Sequence, residues 1–422
     1  MTDHRVGAPT TPPAPTVGDV IRVLAAVALV ASAAVVGVLL GGERTFSGAP
    51  PLFAVWLPHV GPGTPAAVVV AVLVVAHGPA LAHRLSWRRA LACAYAAAIA
   101  WTVSLALVDG WRRGFTDRLT TTDEYLHEVP GVTDVVAVLR EFSGRILDFQ
   151  PDSWTTHVSG HPPGALLVFV GLDRVGLSGG AWAAVVVVLV GALTAVAVPV
   201  TVRALVDEVH ARTVLPFVVL FPGAVWVGVS ADGLFAGVTA VGIALLATRR
   251  ALLGGLVLGF SVFLSYGLVL IGLLALTVLW PDWRRIGVAV LGAVAVVGAF
   301  AALGFWWLDG YHLVVERYYQ GIASSRPYGY WVWANLAAAV LACGLSPLAA
   351  RWRGPALRLA VPAALVILAA DLSGLSKAEV ERIWLPFTVW LLVLVPTSHR
   401  RLWLAAQAVT ALAVNHLLLT GW

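Results

Sequence analysis

Two adjacent carboxylates, Asp123 and Glu124, follow a run of three threonines in a polar stretch of the chain. A carboxylate held beside a hydroxyl group can remove its proton, so either residue could act as a general base toward a hydroxyl nucleophile. The same pattern is also typical of a helix N-terminus with an aspartate as its capping residue. The sequence leaves both interpretations open and does not distinguish Asp123 from Glu124 as the base.

A second polar cluster, residues 157–164, contains two histidines and two prolines directly before an apolar run. Pro162 and Pro163 predict the start of a helix, because proline favours the first helical turn. The backbone N–H groups of that turn can face an anion, and His161 lies beside them. The alternative is an interfacial helix start with a histidine among lipid headgroups.

Three further charged residues stand at the ends of apolar runs: Asp232, Lys377 and Arg382. Lys377 is the only lysine in the chain. Two cations at one membrane boundary suit a phosphate or diphosphate, which arginine can bind with two parallel hydrogen bonds. The alternatives are an N-cap at Asp232, cations that snorkel to the interface, and pairing of Arg382 with Glu379 or Glu381.

The composition indicates which elements must position these side chains. Of 422 residues, 59% are hydrophobic and 12% are charged, whereas about 25% of the residues of a soluble domain are charged. A soluble globular protein is therefore excluded, and so is a disordered chain. The net charge of +5 comes from arginines in short clusters between apolar runs. Such clusters indicate membrane topology, and no nucleic-acid partner is expected.

The apolar runs predict an all-α, polytopic transmembrane helical bundle with about 13 crossings. Residues 164–176 are predicted to form one shallow or re-entrant helix, because this run is short and is interrupted by two charged residues. Residues 1–16 are predicted to be a disordered cytoplasmic tail, and residues 17–422 a single transmembrane domain.

The positive-inside rule places the arginine-rich linkers and the N-terminus in the cytoplasm. The largest segment on the outer face is then the loop 110–163, which we expect to carry interfacial helices. Within it, the apolar spacing of residues 132–147 predicts a helix that lies on the membrane surface. The other predicted outer segments are 230–233, 305–330 and 374–383.

Taken in order, these clusters resemble the GT-C superfamily of polytopic glycosyltransferases. The resemblance is closest to the branch of protein mannosyltransferases and lipid A aminoarabinose transferases, and it covers roughly residues 15–397. The motifs that carry it are Asp123-Glu124-Tyr125, His161-Pro162-Pro163-Gly164, Ser230-Ala231-Asp232, and a segment from Glu379 through Arg382 to Pro386.

The resemblance implies a bacterial plasma-membrane enzyme whose active site faces outside. It would transfer a sugar from a polyprenyl-phosphate donor to a glycan, lipid or protein acceptor. Arg382 and Lys377 would neutralise the donor phosphate with help from His161, and Asp123 or Glu124 would be the base. Asp232 would position the acceptor or, in family members that use a divalent ion, help to hold it. No cofactor is certain from the sequence, and use of a divalent metal stays open.

Two alternatives come from other classes of protein. A polytopic transporter or lipid flippase without catalysis would carry its charged groups within spans, near the bilayer centre. A structural or assembly protein would show no clustering of His, Asp and Arg side chains. The enzyme hypothesis predicts that Asp123, His161, Asp232 and Arg382 converge in one cavity on the outer face.

Overall fold

The computed structural model describes residues 16–421, and this part of the chain is mostly helical. The predicted tail 1–16 lies outside the described residues except for Thr16. The α-helices are α1 (Val17–Leu40), α2 (Gly42–Thr45), α3 (Thr64–Arg84), α4 (Trp87–Ala106), α5 (Tyr125–Glu128), α6 (Val135–Glu141), α7 (Thr156–Ser159), α8 (Pro163–Arg174), α9 (Gly180–Ala192), α10 (Thr194–Leu205), α11 (Glu208–Val219), α12 (Ala224–Val227), α13 (Ala231–Ala247), α14 (Ala251–Ser261), α15 (Ile271–Leu279), α16 (Trp283–Ala302), α17 (Trp307–Gln320), α18 (Tyr328–Cys343), α19 (Ser346–Ala349), α20 (Leu357–Leu372), α21 (Val380–Ile383), α22 (Leu385–Thr388) and α23 (Arg400–Leu417).

Short irregular helices and one pair of strands complete the fold. The 3-10 turns are Leu107–Asp109, Val129–Gly131, Phe142–Arg145, Tyr266–Leu270, Ile322–Ser324 and Val389–Val393, and Arg112–Thr116 is a π-helical turn. The strands β1 (Ala54–Trp56) and β2 (Leu418–Thr420) pair antiparallel, with Ala54 opposite Thr420.

Several helices are compatible with a membrane protein. Among residues 16–421, five helices or continuous helix pairs are long and apolar enough to cross a membrane. They are α1, α3, α4 with its 3-10 extension, α9 with α10, and α16. In α1, α3 and α16 the apolar residues lie largely exposed on the outside of the bundle. Such a surface is costly in water and is typical of a surface that faces lipid. The predicted all-α class is thus confirmed.

Other predicted spans are shorter than expected because prolines and irregular turns interrupt them. The run 212–229 divides into α11 and α12, with Pro222 in the connection between them. The run 384–397 divides into α22, which contains Pro386, and the 3-10 turn Val389–Val393. Proline lacks a backbone N–H group, so Pro222 favours a break after α11, and Pro386, in the first turn of α22, favours the start of a new helix there.

The predicted outer segments and the C-terminal strand meet at one end of the bundle. The backbone carbonyl of Thr420 accepts a hydrogen bond from Arg118, which lies in the loop 110–163 (3.3 Å). Phe53, directly before β1, donates its backbone N–H to the carboxylate of Glu381 (2.8 Å). The short β1–β2 sheet therefore fixes the segment after α1 and the C-terminal strand beside the loops that carry the candidate site.

The arginines of the predicted cytoplasmic linkers bind exposed helix ends. Arg212 donates to the carbonyl of Leu85 at the end of α3 (2.9 Å), and Arg358 donates to that of Thr277 near the end of α15 (2.5 Å). Arg285 binds the end of α13 in the same way. The last carbonyls of a helix have no partner within it, and a cation there also interacts favourably with the negative end of the helix dipole.

Both ends of α8 contact the loop 110–163. Arg174, its last residue, donates to the carbonyl of Thr133 (3.0 Å), and Gly180, at the start of the next helix, packs against the carbonyl of Thr116. At its start, the ring of His161 lies 5.9 Å from that of Tyr125. A helix of 12 residues is about 18 Å long. Helix α8 therefore begins and ends beside the same loop.

The predicted surface helix 132–147 is shorter than expected. Helix α6 is followed by the 3-10 turn Phe142–Arg145, and Leu139 and Ile146 are buried. Phe142 packs against Trp154 and Phe305, with ring centroids 5.3 and 5.5 Å apart. The apolar face of this segment thus packs against the protein itself, because two aromatic residues outside the segment cover it.

A glycine allows α8 to lie close to the segment that follows α14. A Cβ atom at Gly164 would lie 2.5 Å from the carbonyl oxygen of Phe263, whereas one at Gly171, in the same helix, would meet nothing within 4 Å. We expect Gly164→Ala to reduce the free energy of unfolding by about 1–3 kcal/mol, since α8 or Phe263 must move. Thermal unfolding of the detergent-purified protein measures this effect.

Gly171→Ala is the matched control. Alanine is the better helix former, so this change should be neutral or stabilising by up to about 1 kcal/mol. Equal unfolding temperatures for the two variants would show that the contact between Gly164 and Phe263 does not position α8.

Candidate functional site

The two carboxylates of the acidic motif face in different directions. Asp123 is exposed, and its carboxylate accepts a hydrogen bond from the hydroxyl of Thr156 (3.1 Å). Glu124 is buried, and its Oε1 lies 2.9 Å from Nδ1 of His157. The backbone N–H of His157 in turn donates to the carbonyl of Asp123 (2.9 Å). The motif therefore presents one carboxylate to solvent and one to the interior.

The guanidinium of Arg382 lies at the centre of a buried network. Its Nη1 donates to Oδ2 of Asp232 (2.6 Å), and its Nη2 donates to Oε2 of Glu379 (2.7 Å). Nη2 also lies 3.3 Å from Nε2 of His157. Because a guanidinium only donates, this geometry favours the tautomer of His157 with Nε2 as acceptor and the proton on Nδ1, toward Glu124. Three chain segments are thus joined through one cation.

A second arginine extends the network. Arg326 is buried and donates from both terminal nitrogens to Oε1 of Glu379 (3.1 Å each), and it also donates to the carbonyl of Lys377 (2.8 Å). Arg382 and Arg326 therefore share Glu379 as their acceptor. Burial alone disfavours the charged form of Glu379, but the two guanidinium groups outweigh it and lower the pKa of this carboxylate.

The ammonium group of Lys377 lies outside this network. Its Nζ lies 5.9 and 5.8 Å from the ring centroids of Tyr318 and Tyr319, and its backbone N–H donates to the hydroxyl of Tyr318 (2.9 Å). Among residues 16–421, Lys377 takes part in none of the ion pairs. The cation is stabilised by the faces of aromatic rings instead.

His161 is close to the network but is not a cation. Its Nδ1 lies 2.8 Å from the carbonyl oxygen of His157, and its ring packs against Tyr125 and Phe235 with centroids 5.9 and 5.6 Å apart. Burial lowers the pKa of His161 to about 4, so the ring is neutral at physiological pH. The prediction that helix α8 begins at the two prolines is confirmed, since Pro163 is its first residue.

The backbone that carries Glu379 is strained. Ala378 and Glu379 are consecutive residues with φ of +69° and +64°, a region that residues with a Cβ atom rarely adopt. The buried side chain of Asn335 supports this loop, because it donates to Asp371 (2.9 Å) and accepts from the backbone N–H of Ala378 (3.2 Å). Strain of this kind persists only where the surroundings hold it, and it often marks functional sites.

Three of the six residues singled out in the sequence share the network: Glu124, Asp232 and Arg382. His161 borders it, while the side chains of Asp123 and Lys377 do not join it. The terminal nitrogens of Arg382 are bonded to Asp232 and Glu379, which favours the alternative of ion pairing, and its role toward a phosphate stays a prediction. Sequence reasoning missed His157 and Arg326 as members. The spacing of three residues between Glu379 and Arg382 indicates Glu379 only as a local partner of this arginine.

The carboxylates of the site do not form a metal-binding group. Among the described residues, no group of three or more His, Cys, Asp or Glu side chains is arranged to hold a metal ion. Asp232 and Glu379 are engaged by Arg382 instead. The residues present therefore do not fit a divalent ion, and we derive no chemical step through one.

In comparisons with known proteins, no family model, curated protein or solved structure matches this chain.

The burial of Glu381 predicts that its contribution to the free energy of unfolding depends on pH. It is fully buried and accepts the backbone N–H of Phe53, and burial raises its pKa to about 7. The folded state therefore holds a proton that the unfolded state releases near pH 4.5. It follows that the contribution of Glu381 to the free energy of unfolding falls as the pH rises from about 4.5 to 7 and is level above that range. Glu381→Gln, which stays neutral, should be more stable than wild type at pH 8 by on the order of 2 kcal/mol, and similar to it near pH 4.5.

Thermal unfolding of both proteins between pH 4.5 and 8 checks this expectation. Glu316→Gln, at an exposed position in α17, is the control and should follow the wild-type profile. If Glu381→Gln also follows that profile, Glu381 is ionised in the folded protein throughout this range.

Proposed function

We propose that the chain is a membrane glycosyltransferase that transfers a sugar from a polyprenyl-phosphate donor to a cell-envelope acceptor on the outer face of the plasma membrane. One observation carries the proposal: Glu124, Asp232 and Arg382 converge in a single buried network beside the exposed Asp123. Arg382 is 150 residues from Asp232 and 225 from His157 in sequence. An arrangement assembled from such distant segments is expected of a site and not of local helix capping.

In the proposed reaction, the exposed carboxylate of Asp123 is the general base. It takes the proton of an acceptor hydroxyl as the hydroxyl oxygen bonds to the anomeric carbon of the donor sugar. The bond between that carbon and the phosphate oxygen breaks, and polyprenyl phosphate leaves with the bonding electron pair. Oε1 of Glu124 faces His157 and fixes the position of that ring.

The leaving phosphate requires a cation, and Lys377 is the best candidate. Among the described residues its ammonium group lies against aromatic faces and pairs with no carboxylate, so a phosphate would not have to displace one. Arg382, with Asp232 and Glu379 as partners, holds the site together. In this assignment Asp232 orients the segments around the acceptor through Arg382.

We also propose that the chain crosses the membrane about 13 times, with the N-terminus in the cytoplasm and α8 as the shallow helix. The contacts at the two ends of the bundle support this topology. Arginines of the predicted inner linkers bind the ends of neighbouring helices, as Arg212 does at α3 and Arg358 does at α15. The predicted outer loops meet in the network around Arg382. Both ends of α8 lie beside the loop 110–163.

The position of the charged groups favours an enzyme over a transporter or flippase. Glu124 directly precedes the short helix α5, and His157 lies in α7, which has four residues. Asp232 is the second residue of α13, and Arg382 lies in the four-residue α21. These groups therefore belong to the segments predicted to lie on the outer face, whereas a translocation pathway needs them near the bilayer midplane.

Asp123→Asn should lower the rate of sugar transfer about 10²- to 10⁴-fold without lowering the unfolding temperature, because Asp123 is exposed and its loss removes only the base. Transfer from radiolabelled polyprenyl-phosphate sugars in membranes measures this rate. Asp152→Asn, at another exposed aspartate of the same loop, is the matched control and should keep wild-type transfer.

Glu124→Gln tests the other half of the assignment and should lower folded yield along with activity. Near-normal transfer by Asp123→Asn would exclude Asp123 as the base. An inactive but fully stable Glu124→Gln protein, together with normal transfer by Asp123→Asn, would make Glu124 the general base instead of Asp123.

A further inference from the structure

The hydroxyl group of Tyr125 is buried beside the network without a hydrogen-bond partner. Tyr125 is 2% exposed, and its Oη forms no hydrogen bond with the described residues. A buried hydroxyl without a partner lowers stability, and phenylalanine would fill the same space without that cost. The position therefore calls for an explanation other than packing.

The ring of Tyr125 is fixed by its neighbours. Its centroid lies 6.2 Å from that of His157, 5.9 Å from that of His161 and 5.4 Å from that of Phe169. Burial, together with the carboxylates Glu124 and Asp232, raises the pKa of Tyr125 well above its ordinary value. The hydroxyl is therefore neutral and able to donate a hydrogen bond.

A second oxygen without a partner lies on the adjacent residue. Oε2 of Glu124 is buried and accepts no hydrogen bond from the described residues, although Oε1 lies beside His157. The indole N–H groups of Trp226 and Trp384 are also buried without acceptors, and these residues lie close in sequence to Asp232 and Arg382. The segments of the site thus offer neutral donors together with carboxylate acceptors, since Oε2 of Glu381 is also buried without a partner among the described residues.

The charges indicate which kind of ligand these groups fit. The network holds three carboxylates: Asp232 and Glu379 bind the terminal nitrogens of Arg382, and Glu124 faces His157. These carboxylates outnumber the two guanidinium groups of the network, Arg382 and Arg326. A phosphate placed here would be repelled by the carboxylates. A sugar hydroxyl is neutral and can both donate to a carboxylate and accept from a phenol. The chemistry therefore suits a polyol and not an anion.

We propose that Tyr125 and Glu124 form the subsite for the sugar ring of the lipid-linked donor, with the Tyr125 hydroxyl donating to one sugar hydroxyl and Glu124 accepting from another. The inference rests on the proposed glycosyltransferase function and deepens it. It separates the sugar, held at Tyr125, from the phosphate, which is assigned to Lys377. Tyr125 is thus a binding residue for the neutral part of the donor.

Tyr125→Phe removes only the hydroxyl oxygen and tests the subsite directly. The probes are polyprenyl-phosphate mannose, polyprenyl-phosphate arabinose and polyprenyl phosphate without a sugar, each titrated against the purified protein. We expect the sugar-bearing lipid that the wild type transfers to bind about 3- to 10-fold more weakly to the variant, as for loss of one neutral hydrogen bond. Binding of the lipid without a sugar should not change, and the unfolding temperature should be equal or higher.

Tyr266→Phe is the matched control. Its hydroxyl is also buried and lacks a hydrogen-bond partner among the described residues, but its ring packs against Trp307 and Tyr311. None of the charged residues of the site is among these neighbours. This variant should bind all three lipids as the wild type does.

The outcomes separate the two proposals. If the wild type transfers sugar and Tyr125→Phe binds the donor with unchanged affinity, the sugar subsite is wrong while the enzyme stands. A marked fall in the unfolding temperature of Tyr125→Phe would also overturn it, because the hydroxyl would then serve the fold. If the wild type transfers sugar from no polyprenyl-phosphate donor, the proposed function itself fails.

Discussion

A guanidinium group taken out of water must find carboxylates, and the candidate site depends on this requirement at Arg382. Removing one partner from a buried ion pair typically costs about 3–5 kcal/mol. Asp232 and Glu379, at 2.6 and 2.7 Å, are the partners that meet the requirement here. The start of α13 and the loop before α21 can therefore pack against each other only when both carboxylates reach Arg382.

The remaining contacts follow from this pairing. Glu379 also accepts hydrogen bonds from Arg326. This ion pair brings the segment between α17 and α18 to the site. His157 lies between Arg382 and Glu124, so the loop 110–163 joins through its buried carboxylate. The neighbouring Asp123 is left at the surface, where an acceptor could reach it. A rigid buried network beside one accessible carboxylate is the arrangement that general-base chemistry needs, since the base must be positioned but not neutralised.

The sequence predicted the helical class and the segments that form the site, because both are local properties. Long apolar runs predict helices, and the two prolines placed the start of α8 correctly at Pro163. The partners of Arg382 could not be predicted, since a pairing across 150 residues leaves no mark in local spacing. Likewise, nothing in the adjacent acidic pair indicates that Glu124 turns inward while Asp123 faces solvent. The apolar spacing of residues 132–147 predicts a helix on the membrane surface. The structure differs because Trp154 and Phe305, which cover the apolar face, lie outside this segment and cannot be recognised from its spacing.

The measurement that tests the central claim most directly is a double-mutant cycle between Asp232 and Arg382. The free energy of unfolding is measured for Asp232→Asn, Arg382→Gln and the double variant in detergent micelles, with the exposed pair Arg112 and Asp117 as a reference. If the buried ion pair organises the site, the two changes are coupled by about 1.5–3 kcal/mol, whereas the exposed pair shows less than about 1 kcal/mol. Effects of Asp232→Asn and Arg382→Gln that add to within about 0.5 kcal/mol would contradict the account.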